Sequence, residues 1–253
     1  MTRTVPFLHK DAIVHDALSL LADYEQARGV RLVPPIPIED IIEKHLKLTL
    51  EFDDMHARHG IPRPAPGETD ILGAIYGNGS IFIDETLDPD ENPSKEGRYR
   101  FTLAHEGGGH WRLHQHLIVQ EGEQVSLFDD ASGPDFLCRS SEAKRREEWQ
   151  ADFYAACLLM PARMLIAMWD ETYPGKRPYV MDRSRRSEIL AITDPQEREF
   201  ELGVEEYLTE QAMENVARPL ARQFLVSPIA MRIRLERLGL LLRDAPNQRS
   251  LVG

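Results

Sequence analysis

The sequence predicts an α+β fold, in which a small antiparallel sheet precedes a histidine-bearing helix and a mostly helical C-terminal part follows. Three observations carry this. ILGAIY and SIFID flank Gly77, Asn78 and Gly79, and an Asn-Gly pair readily supplies the positive φ angles of a tight hairpin turn. LKLTLEF alternates with period two, so Leu48, Leu50 and Phe52 share one face of a half-buried strand. On both sides of this β-rich stretch, apolar residues recur at helical spacing.

In chain order, Ile13, Ala17, Leu20, Leu21 and Tyr24 mark a first amphipathic helix, with Gly29 as its stop. Pro34, Pro35 and Pro37 stiffen an extended connection, and Ile38, Ile41, Ile42 and Leu46 suggest a short second helix. After the first strand, Asp53 to Thr69 reads as a loop punctuated by Pro62, Pro64, Pro66 and Gly67, and the hairpin follows it. DETLDPDENPSKEG is a charged surface loop leading to a helix that starts near Arg98. Residues 117–140, with Gly122, Gly133 and Pro134, read as an irregular excursion over one face of that helix. EEWQADFYAACLLMP is again helical, with Trp149, Phe153, Ala156 and Met160 on one stripe, Glu148 and Asp152 on the next, and Pro161 ending it. Residues 170–202 are polar and weakly patterned. Helices return near Val204, where Ser227 is suited to an N-cap and Pro228 to the first helical position. One domain over 1–243 is expected, with a helix-turn-helix-like pair at about 217–240 and a loose tail at 244–253.

Composition narrows the function. The chain has 253 residues, 42% of them hydrophobic, enough for a packed core. Its net charge of −12 repels phosphate backbones and disfavours DNA binding. The start, MTRTVPFLHKDAI, has no continuous apolar region, and no run approaches the roughly 18 apolar residues of a membrane span, so a cytoplasmic protein is expected. Cys138 and Cys157 are too few for a disulfide framework.

The chemistry concentrates in RFTLAHEGGGHWRLHQH. His105 and Glu106 are followed by three glycines and His110, which makes HExxxH, one residue longer than the zinc-peptidase motif HExxH. Zinc takes neutral imidazole and carboxylate ligands, three from the protein in catalytic sites, and His105, His110 and Glu148 fill that list. Glu106 is placed as the general base, and Asp152, one turn beyond Glu148, as the acceptor that fixes a ligand histidine's tautomer. Residues five apart on a regular helix are about 140° out of register, so this ligand set needs a π-bulge between the histidines. A second register remains open, with His110 and His114 as the ligands, and so does a site that holds no metal. Cys138 is a candidate for a thiolate at the open zinc position, against the plainer reading of an idle cysteine. His114 and His116 are candidates for lining the cleft. Cys157 and the remaining histidines read as core, surface or packing residues.

FTLAHE, HWRLH, EWQADFYAACLLMP and FLVSPIAMRIRLERLGL, with PPIPIEDI and GAIYGNGSIFID ahead of them, resemble the ImmA/IrrE family of metallopeptidases in the same order along nearly the whole chain. The resemblance implies a zincin-like fold, zinc ligands on an HExxH helix and a ligand Glu on a later helix. By motif position these are His105, His110 and Glu148, with Glu106 as the base. It also implies a protein substrate, since members are associated with cleaving helix-turn-helix repressors. The extra glycine departs from the family pattern. Two other readings compete: an inactive regulator that binds its partner without cutting it, and a DNA-binding regulator using Arg218, Arg222, Arg232, Arg234, Arg237 and Arg243 on the C-terminal helices. The family places that block inside the peptidase domain.

Overall fold

The computed structural model of the chain describes residues 6–59, 71–119, 136–139, 146–191 and 202–243. They form two compact units, Met1–Pro161 and Ala162–Gly253. Both combine helices with short strands, so the chain is α+β.

In the first unit, helix α1 (Lys10–Arg28) buries Ile13, Ala17, Leu20, Leu21 and Tyr24, the five residues of the predicted stripe, and ends at Gly29 with φ +64°. The expected second helix is a π-helical turn at Asp40–His45 that buries Ile41 and Ile42. Strand β1 (Thr49–Asp53) follows. The loop expected from Asp53 begins instead with a short helix, α2 (Met55–His59). Asp54 Oδ1 accepts the backbone N–H groups of His56 and Ala57 and so caps it. Met55 is buried against Ala74, with Tyr76 and Phe82 packed beside them. Residues 60–70, with the prolines of that loop, lie outside the described residues.

The hairpin forms as β2 (Ile71–Ile75) and β3 (Ser80–Asp84), antiparallel, with Ile75 opposite Ile81. Only its last turn residue, Gly79, takes positive φ, at +87°. Helix α3 (Glu96–Leu103) leads into a π-helical segment at Ala104–His110 and then α4 (Trp111–Val119). Within the excursion expected at 117–140, residues 136–139 form strand β4 (Phe136–Arg139), and 120–135 lie outside the described residues. Helix α5 (Arg146–Leu159) closes the unit, and from Phe153 to Leu159 every residue is buried. A helix apolar nearly all round lies in a core rather than on a surface.

The sheet runs β1-β3-β2-β4 and is mixed, not antiparallel as expected. β1 pairs parallel with β3, Thr49 opposite Ser80, while β2 is antiparallel to β3 and to β4. A tight turn dictates an antiparallel neighbour, but alternation along LKLTLEF carries no direction. The long connection between β1 and β3 permits the parallel pairing. As an edge strand β1 is only partly covered: Leu48, just before it, is buried, whereas Phe52 within it is exposed and leans on Tyr99, ring centres 5.4 Å apart.

The second unit contains α6 (Ala162–Thr172), β5 (Tyr179–Met181), α7 (Arg183–Ile189), α8 (Leu202–Phe224), α9 (Pro228–Arg237) and β6 (Leu241–Arg243), with β5 and β6 parallel. Ser227 caps α9 as expected, its Oγ accepting from Ala230 N at 3.1 Å. Arg232, buried, lies within 3.5 Å of carboxylate oxygens of Glu210, Glu214 and Glu236. Arg243 pairs with Glu206, Glu210 and Glu236, and hydrogen bonding from Arg243 is the main cause holding the Glu210 carboxyl below its usual pKa. Arg234 is buried as well. Among the described residues no single helix is long and apolar enough to cross a membrane. The tail expected at 244–253 lies outside them.

Candidate metal centre

The π-helical segment solves the spacing problem of HExxxH. Across it the Trp111 N–H reaches back to the carbonyl of Glu106, five residues earlier, so one extra residue is absorbed and His105 and His110 face the same side. Their Nε2 atoms are 3.0 Å apart. Glu148, in the first turn of α5, places Oε2 3.4 Å from His105 Nε2 and Oε1 3.7 Å from His110 Nε2. The three donor atoms lie within 4.8 Å of one another and all three residues are buried, a group able to hold a metal ion. Asp152 Oδ1 is 2.9 Å from His105 Nδ1, so that nitrogen carries the proton and Nε2 keeps its lone pair toward the group.

The electrostatics suit a cation. Burial, reinforced by His105 and His114, pushes the His110 pKa well below its usual value, so this imidazole is neutral. Glu106 is fully buried, and neither of its carboxylate oxygens has a hydrogen-bond partner among the described residues. Burial raises its pKa to about 8; His105 opposes the rise, and Glu148 and Asp152 add to it. Glu148 Oε2 also lacks a hydrogen-bond partner there. Buried carboxylate oxygens left unsatisfied are costly, and a bound cation beside them removes that cost.

Packing explains the glycines, whose backbone φ angles lie outside the left-handed region. A Cβ on Gly109 would stand 2.6 Å from Ala151 Cα and 2.9 Å from Ala151 O, so here the site helix and α5 touch backbone to backbone. Ala151 lies between Glu148 and Asp152 in sequence, and this close approach brings both carboxylates to the histidines. A Cβ on Gly107 would meet Ile42 Cδ1 at 2.6 Å and Ile81 Cδ1 at 2.8 Å, and one on Gly108 would meet Leu158 and Tyr154 at 3.1 Å. Gly73 on β2 plays the same part on the sheet side, where a Cβ would come within 2.6 Å of Thr102 Cγ2 and 3.2 Å of Glu106 Cγ.

His105, His110, Glu148, Glu106 and Asp152 are thus brought together. His114, expected along a cleft, is fully buried, its Nδ1 3.0 Å from His110 Nδ1 and its Nε2 2.9 Å from Gln150 Oε1. Cys138 falls on β4, and its side chain, like that of His116 on α4, lies outside the described residues. Cys157 is buried in α5, as expected. Sequence reasoning missed Gln150, although a glutamine next to the apolar face of a core helix signals a buried amide in need of partners. It also missed Asp16, which accepts from Arg112 and from the Tyr154 hydroxyl and so ties α1 to both site helices. No protein-family model and no curated protein matches this sequence.

Proposed function

We propose that this chain is a zinc-dependent endopeptidase making limited, regulatory cleavages in a partner protein, a helix-turn-helix transcriptional repressor, as the ImmA/IrrE family it resembles does. The observation that carries the reading is the donor spacing. Ligand atoms at tetrahedral positions around zinc, each about 2.0–2.1 Å from it, stand about 3.3 Å from one another; here the two imidazole nitrogens are 3.0 Å apart, and the Glu148 carboxylate faces both, Oε2 3.4 Å from His105 Nε2 and Oε1 3.7 Å from His110 Nε2. Two neutral imidazoles and one carboxylate are a common catalytic zinc set, which leaves a position for water or substrate.

Zinc held by His105, His110 and Glu148 would act as a Lewis acid, acidifying water and polarising the scissile carbonyl. Glu106 takes the proton from the attacking water on its carboxylate and returns it to the leaving amine. In the metal-free chain burial raises its pKa to about 8, and a bound cation would lower it from there toward the range of a group that accepts and releases a proton near neutrality. Asp152 keeps His105 in the Nδ1–H tautomer. Gly73 leaves the Glu106 side chain room against β2.

The C-terminal arginines support the peptidase reading over DNA binding, because Arg232 and Arg243 are committed to glutamates within the same unit and the chain is acidic overall. A cytoplasmic partner is part of the proposal. The test is incubation of the zinc-loaded protein with any helix-turn-helix protein found to be encoded beside its gene. We expect one or a few chelator-sensitive cuts, located by mass spectrometry. A repressor that is bound but stays intact would favour the inactive regulator, and a salt-dependent gel shift by the chain alone would favour DNA binding.

A further inference from the structure

We propose that His114 is a positioning residue of the metal centre: through a one-way hydrogen-bond chain anchored on the carbonyl of Pro6, it holds His110 in the tautomer that presents Nε2 as ligand. The proposal rests on the metal reading above and names the second support of its ligand shell.

With both imidazoles neutral, as full burial favours, these contacts admit one assignment of protons. Gln150 Nε2 lies 3.0 Å from Pro6 O. A carbonyl only accepts, so the amide NH2 of Gln150 faces Pro6 and its Oε1 faces the other way. That Oε1 is 2.9 Å from His114 Nε2 and also only accepts, so His114 Nε2 carries a proton. In a neutral imidazole the other nitrogen is then bare. His114 Nδ1, 3.0 Å from His110 Nδ1, therefore accepts, and His110 Nδ1 donates. With its proton on Nδ1, His110 keeps the lone pair of Nε2 directed at His105 Nε2 and Glu148.

His114 thus does for His110 what Asp152 does for His105, but with a neutral acceptor in place of a carboxylate. The same chain disposes of the alternative ligand register. Both ring nitrogens of His114 are engaged, one by Gln150 and one by His110, so His114 has no lone pair left for a metal. His114 and Gln150 are both fully buried, which keeps water from substituting for either partner.

Three substitutions separate this role from space-filling. His114→Leu removes the acceptor; His114→Asn places a carbonyl oxygen near the site of Nδ1; Gln150→Leu removes the anchor and leaves the imidazole. Zinc affinity, measured by competition with a chelator, is expected to fall about 10–100-fold in His114→Leu, the range seen when such outer partners are lost, and to recover most of that in His114→Asn. In the metal-free protein, imidazole ¹⁵N shifts are expected to show His110 as one Nδ1–H tautomer in the wild type and as a mixture in His114→Leu and Gln150→Leu. Wild-type zinc affinity and an unchanged His110 tautomer in His114→Leu would overturn the proposal, as would an equal loss in His114→Asn. Loss of all zinc from His114→Leu together with its retention by His105→Ala would make His114 a ligand instead. Because the tautomer is read without metal, a wild-type chain that binds no zinc would sink the metal reading and still leave the hydrogen-bond chain to be judged.

Discussion

Glu106→Gln is expected to lower cleavage by about 10²–10⁴-fold, the range a general base supplies, while zinc stays bound. Glutamine keeps the volume and planarity of the side chain but accepts no proton from water. Glu106 is outside the His105, His110 and Glu148 group, so its loss leaves the ligands in place. The same substitution has a second, metal-free signature whose sign follows from burial. The Glu106 pKa rises from the ordinary 4.5 to about 8 in the fold. Between those values the unfolded chain has released its proton and the folded chain holds it, so stability falls as pH rises through that window. The loss is on the order of a few kcal/mol. Glutamine does not titrate, so the metal-free variant is expected to overtake the wild type in melting temperature as pH rises from 5 towards 8. A gap that does not change with pH would show that Glu106 is not held protonated. Zinc loss from the variant would show that it is a ligand.

Deleting Gly108 restores HExxH spacing and is nevertheless expected to destroy the site. On a helix the deletion turns everything from His110 onward by about 100°. His110, Leu113 and His114, all buried, would leave their partners, and the three-way contact with Glu148 would be lost. Single substitutions grade the same claim. Gly109→Ala drives a methyl into the backbone of Ala151, which cannot rotate away; overpacking of this kind costs about 1–3 kcal/mol and moves α5 with its Glu148. Gly107→Ala meets the ends of Ile42 and Ile81, which can turn aside, and Gly108→Ala meets only tight contacts. Melting temperature and zinc affinity are expected to fall most for Gly109→Ala and least for Gly108→Ala. A deletion variant that is more stable, binds zinc more tightly and cleaves faster would mean that the insertion is a lesion.

The parts legible in the sequence were those set by local patterns. The five buried residues of α1, the hairpin around Gly79 and the Ser227 cap each depend on neighbours a few residues away. The grouping of the candidate residues was legible for a related reason: ligand chemistry and helical spacing pick out His105, His110, Glu148 and Asp152, which the fold brings together, and the mismatch of five residues itself called for the π-helical segment. What depended on distant partners was not. β4 is a four-residue strand whose partner lies some sixty residues earlier, and β5 and β6 pair across a similar gap. The direction of β1 is set by a crossover. The glycines looked like a tolerance for irregular backbone, whereas their neighbours Ala151, Ile42 and Tyr154 make them points of close approach. His114 had the spacing of a ligand, and only its contacts with His110 and Gln150 assign it elsewhere.

The most direct test of the central claim is the zinc content of the purified, zinc-reconstituted chain and of four alanine variants by elemental analysis. About one zinc is expected per wild-type chain, none in His105→Ala, His110→Ala or Glu148→Ala, and near-stoichiometric zinc, more weakly held, in His114→Ala. A wild-type chain without zinc, or a His105→Ala variant that keeps it, would show that His105, His110 and Glu148 do not form a zinc site.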